Sequence, residues 1–134
     1  MSRYYRWSWV CLLPALLLGG CASGSIYNTA ITNLTPARLP RNAENLYLIE
    51  AHWRSNQQSI RKDSFKAYVK VGAEFYPMRP SPMLANRWET LLPVPAGQNV
   101  VHYQFKFDYL VNAVPEIKPD SKLSAPQVLE IVNP

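Results

Sequence analysis

The side chains that could do chemistry are few, and the sequence scatters them. His52 and His102 are the only histidines in the 134 residues. His52 sits with Glu50 in a run whose other members, Tyr47, Ile49, Ala51 and Trp53, are apolar. His102 sits with Gln104, Lys106 and Asp108 in a run alternating with Val101, Tyr103, Phe105, Phe107, Tyr109 and Val111. Alternation of period two marks a strand buried on one face, so both imidazoles point away from the core. In a two-sheet sandwich, with sheets ~10 Å apart, these strands fall in opposite sheets and their outward residues cannot share a metal or a proton. Glu50 and Asp108 also face outward. Neither has a second acid placed within the ~5–10 Å that paired-carboxylate hydrolysis needs. There is no Gly-x-Ser-x-Gly elbow, no Gly-x-Gly-x-x-Gly turn and no Walker loop. This inventory predicts a protein that is not an enzyme, with no metal and no cofactor.

Recognition groups are better represented. Tyr68 shares an outward face with Lys66 and Lys70, beside His102, Gln104 and Lys106 if the two strands pair. An exposed ring among polar groups is how a sugar-binding face looks. The segment Tyr76-Pro77-Met78-Arg79-Pro80-Ser81-Pro82-Met83 offers a second candidate. Its prolines lower the entropy lost on binding, Tyr76, Met78 and Met83 give adaptable apolar contacts, and Arg79 gives a charge. The same segment also reads as a connection across the end of the fold, with its methionines tucked into the core. Asn112–Pro126, with Glu116, Lys118, Asp120 and Lys122 around two prolines, reads as a long loop of either kind, solvated or recognising.

The elements that must position these residues are strands. Phe65, Ala67, Val69 and Val71 alternate with Lys66, Tyr68 and Lys70, and weaker strands are expected at Ala73–Met78, Arg87–Val94 and Gln127–Val132. Ile26–Leu34 would be a first, edge strand, ended by Thr35-Pro36. Ser81–Asn86 makes at most one helical turn. Twelve prolines against five glycines fit strands joined by stiff loops. Seven short strands in about 105 residues predict an all-β, two-sheet antiparallel sandwich. Trp53, Trp88, Phe65, Tyr103, Phe105 and Phe107 would form its core. The stretch from Trp88 through Pro93–Gly97 into Val101–Phe105 resembles the E–F corner and F strand of Ig-like and early-set domains. That resemblance implies an Ig-like topology, with Tyr103 where a tyrosine corner is expected.

The N-terminus is an address. Arg3 and Arg6 precede an apolar run, Val10–Leu18, that is too short for the ~20 residues of a membrane span and fits a signal h-region. It ends in Leu18-Gly19-Gly20-Cys21, which resembles the lipobox of bacterial lipoproteins. The resemblance implies cleavage before Cys21, diacylglycerol on its sulfur and acylation of its amino group, so that the protein meets the membrane through lipid. Ala22 after the cysteine, rather than Asp, implies the outer membrane. The chain then divides into a signal peptide (1–20), a lipidated cysteine with a short tether (21–29) and the sandwich (30–134).

Removing twenty residues from 134 leaves 114. Without Arg3 and Arg6 the bases fall from 14 to 12 against 9 acids, a net charge of +3. No basic run is long enough to follow a phosphate backbone, so nucleic acid is not an expected partner. With Cys11 in the signal and Cys21 acylated, the domain keeps no thiol for a disulfide or a nucleophile. The sequence therefore predicts a lipid-anchored envelope lipoprotein that binds or assembles with another envelope protein. The alternative is a carbohydrate-binding module at the bacterial surface.

Overall fold

The alternating runs become the strands that carry the core. The computed structural model describes residues 27–134, with ten strands and no helix among them. These are β1 (Thr29–Asn33), β2 (Arg38–Pro40), β3 (Leu46–Ser55), β4 (Lys66–Val71), β5 (Glu74–Pro77), β6 (Arg79–Pro80), β7 (Arg87–Pro93), β8 (Val100–Val111), β9 (Lys118–Leu123) and β10 (Gln127–Val132). One sheet has the order β1-β3-β7-β6. The other runs β2-β10-β8-β4-β5, with β9 also paired to β8. Among these pairs only β2 with β10 is parallel. In immunoglobulin lettering the first sheet is A-B-E-D, and the second is G-F-C, extended by β5 beside C and by β2 beside G. The domain is an Ig-like antiparallel β-sandwich.

The inward faces interlock between the sheets. Ile49, Ala51 and Trp53 of β3 meet Phe105, Phe107 and Tyr109 of β8 in one buried cluster with Val69, Leu92, Val101, Leu129 and Ile131. Trp53 is its hub, with ring centroids 5.0 Å from Phe107, 5.1 Å from Phe65 and 5.3 Å from Tyr109. Each such side chain contributes about 1.5–3 kcal/mol by leaving water. Phe65 and Trp88 differ from expectation. They pack against the cluster yet are only partly buried, because the flank beside them is closed by the four residues of β5 and the two of β6.

Tyr103 is buried, but its hydroxyl accepts a hydrogen bond from Asn33 Nδ2 at 2.8 Å. A tyrosine corner bonds to nearby upstream backbone, so Tyr103 instead fastens β8 to β1. Gly72 takes a φ of +59° in the two-residue connection of β4 to β5, a conformation that costs a side chain with a Cβ.

The three strands not foreseen are β2, β6 and β9. Asn112–Pro126 is not one open loop, since β9 pairs along β8 from Lys106↔Leu123 to Val111↔Lys118. Further along the same edge β10 pairs from Tyr103↔Gln127. Three residues therefore lie between 123 and 127 where two lie between 103 and 106: one residue is extra, a β-bulge. Ser124 holds it. Its amide donates to Phe105 O and its Oγ accepts from Phe105 N, both at 2.8 Å.

The proposed signal (1–20), Cys21 and the tether as far as residue 26 lie outside the described residues. Asn28 is already fixed, its amide donating to Asn56 Oδ1 at 2.8 Å, and β1 starts at Thr29 rather than Ile26.

Candidate functional site

The partly open flank leaves a groove of about 900 Å³. Its residues come from the end of β3, the loop 57–63, the start of β4, the β5–β6 connection and the turn into β7. Trp53, Phe65, Trp88 and Met78 are its largest apolar lining residues, with Ile60 beside them. Phe65 and Trp88 stand 6.2 Å apart at 57°, so their exposed edges meet at an angle rather than as one flat plate. Asn86 shapes the entry to β7. Its φ is +60° and its carbonyl accepts from Trp53 N at 2.8 Å.

The charged residues of the groove are basic apart from Asp63. Arg54, Lys62, Lys66 and Arg87 line it. Arg87 is neutralised by Glu50, 2.5 Å away. Among the described residues no carboxylate is within ion-pair range of Arg54, Lys62 or Lys66. The site therefore presents aromatic edges with unpaired cations around them. It has no acid–base pair, and no group of three or more His, Cys, Asp or Glu among the described residues could hold a metal.

Tyr68 and Met78, singled out from sequence, both line this groove. Met78 is only 8% exposed and belongs to the core, its amide bonded to Ala67 O at 2.8 Å. It shapes the groove from below and offers no adaptable surface contact. Tyr76, Arg79 and Met83 lie elsewhere. Tyr76 is half-buried on the inward side of β5, and its hydroxyl donates to Glu74 Oε2 at 2.6 Å, which holds its pKa above the ordinary tyrosine value. Arg79 lies across from Glu89 of β7 and pairs with it at 3.5 Å. Met83 stands 87% exposed in the 81–86 loop. His52 and His102 lie on different sheets, as the Ig-like strand order implied, but Glu50, expected to have no second acid near it, lies directly opposite Glu89 of β7.

Tyr68 also borders the outer face of the larger sheet, where sequence reasoning missed a partner. Phe75 of β5, 47% exposed, meets Tyr68 edge to face at 6.1 Å. Lys106 Nζ lies 5.4 Å from the Phe75 ring centre and 3.1 Å from Asp108 Oδ1. The signal was present in Gly72-Ala73. A two-residue turn there pairs Val71 with Glu74 and so sets Phe75 opposite Lys70, on the side of Tyr68.

Comparison with known proteins adds little to this geometry. No family model and no curated protein sequence matches the chain. Among solved structures, "Structure or murine CRIg" aligns at 11% identity and a TM-score of 0.40, covering 78% of this chain and 98% of that one.

Proposed function

We propose that this chain is a lipoprotein of the bacterial cell envelope, anchored by acyl chains on Cys21 to the outer membrane. There it binds another envelope protein without catalysing a reaction. The groove supports this reading. A half-covered floor of Phe65 and Trp88 rimmed by Arg54, Lys62 and Lys66 suits a partner segment that inserts an apolar side chain flanked by acidic ones. Its residues carry charge and apolar area but no nucleophile–base pair. The lipobox Leu18-Gly19-Gly20-Cys21 supports the anchor.

Two measurements test the two halves separately. Intact mass and membrane fractionation of the natively expressed protein, beside Cys21→Ala, test the anchor. The expected mass is residues 21–134 plus acyl chains, lost in the variant together with sedimentation with the outer membrane. Cross-linked pull-down from envelopes, with Arg54→Glu/Lys62→Glu as control, tests the groove. The wild type is expected to capture a partner that the variant loses; recovery of nothing beyond background from the wild type overturns the binding role.

A second reading, glycan binding, draws on Phe75, which sets an exposed ring beside the half-buried Tyr68. The two rings lie 82° apart, so they hold a sugar in a corner rather than on a flat platform. A glycan array without signal, or with signal unchanged in Tyr68→Ala, removes this reading.

A further inference from the structure

We infer that the end of the sandwich carrying the loops 56–65, 81–86 and 112–117 rests on the lipid bilayer that holds the anchor. This deepens the reading of Cys21 as acylated and rests on it. The described chain begins at that end, where Asn28 is bonded to Asn56. The three loops gather there by register. Asn112 N donates to Ser59 O, and Trp53 N to Asn86 O, each at 2.8 Å.

Five residues lie between Cys21 and Tyr27, so the six Cα–Cα steps reach roughly 20 Å when fully extended. β3 alone, ten residues long, spans roughly 33 Å. So short a tether brings the loop end to the membrane and keeps the Pro95–Asn99 end away from it.

The surface chemistry of the loop end fits a bilayer. Val114 and Met83, 96% and 87% exposed, are the two most exposed large apolar side chains among the described residues, and both are here. Leu84 and Ile117 stand beside them in the chain, also exposed. Tyr27 adds an aromatic of the kind enriched at membrane interfaces. The Pro95–Asn99 turn presents no large apolar side chain. A few inserted side chains bind a membrane weakly when free. Behind an anchor the same contact is intramolecular and forms at high effective concentration.

The test uses the lipidated chain reconstituted in phosphatidylcholine vesicles containing phosphatidylglycerol. Single fluorophores are placed at Val114→Cys, Met83→Cys and, at the far end, Ala96→Cys. Vesicles with brominated acyl chains report depth. Labels at 114 and 83 are expected to shift to shorter wavelength and to be quenched several-fold more than the label at 96. Vesicle flotation with equal, weak quenching at all three sites overturns the inference while leaving the anchor standing. A chain whose mass shows no acyl group and which does not float overturns the anchor, and the inference falls with it.

Discussion

The indole of Trp53 and the ring of Phe107 stand 5.0 Å apart, tilted by 34°, and tie β3 to β8 across the two sheets. These are the B and F strands of the Ig lettering, which antibody domains join by a disulfide. The described residues contain no cysteine, so packing alone makes this link.

Phe107→Ala is therefore expected to cost about 3–5 kcal/mol, as large-to-small changes in tight cores do. That is a large share of the roughly 5–15 kcal/mol that holds a domain folded. Phe107→Leu should cost visibly less. Urea unfolding of the three proteins checks the order.

Ser124→Ala removes the acceptor of a buried amide, Phe105 N. An orphaned buried donor costs about 1–3 kcal/mol, while Ser124→Thr keeps the oxygen and is expected to fall between alanine and wild type. The same unfolding measurement decides.

Gly72→Ala is expected to cost about 1–2 kcal/mol for holding an L-residue in the left-handed region. A Cβ there would meet nothing within 4 Å, so the whole effect is backbone conformation. Gly72→Asn, which tolerates that region better, should lose less. Equal losses in the two variants would mean that the turn changes shape.

Tyr109 is buried, with its hydroxyl 3.5 Å from Asp120 Oδ2. Burial first, then the Asp120 charge and the hydrogen bond, push its pKa above the ordinary 10.0. The folded state thus favours the neutral phenol. Its stabilisation is complete below pH 10 and disappears as the pH rises through the elevated folded value. Asp120→Asn should lower the Tyr109 midpoint in ultraviolet titration without returning it fully to 10, because burial remains.

Capture of a partner by the groove should weaken as salt rises. The rim cations Arg54, Lys62 and Lys66 act over a screening length that shrinks from ~10 Å at 0.1 M to ~3 Å at 1 M. Surface-plasmon titration at two ionic strengths measures it, and an affinity insensitive to salt would assign the binding to the aromatic floor alone.

The fold was legible where one face of a strand is buried. Val101 to Val111 and Tyr47 to Trp53 alternate cleanly, and each residue lies on the face that its parity implies. β9 was not legible. Its Lys118-Pro-Asp-Ser-Lys-Leu is almost wholly exposed, so no apolar period exists to be read, and the bulge at Ser124 breaks the parity between it and β10. The groove was half legible. Phe65 and Trp88 read as core by type, as Trp53 did, but how far the short β5 and β6 leave them covered is a matter of tertiary closure. Tyr68 was found because it interrupts lysines on a polar face. Phe75 was passed over because its face depends on the register of a hairpin.

The bulge at Ser124 also works as a parity switch in a region that otherwise resembles an ordinary surface connection. In an unbroken strand Leu123, Leu129 and Ile131, all odd-numbered, would share one face. The extra residue divides them: Leu123 is exposed, while Leu129 and Ile131 are buried. Removing one residue from 124–126 would restore regular pairing and leave Leu129 and Ile131 inward, with Val128 and Glu130 outward. Substitutions across 124–126 are judged one side chain at a time, whereas a single-residue deletion there erases the switch without exchanging the faces of the last strand.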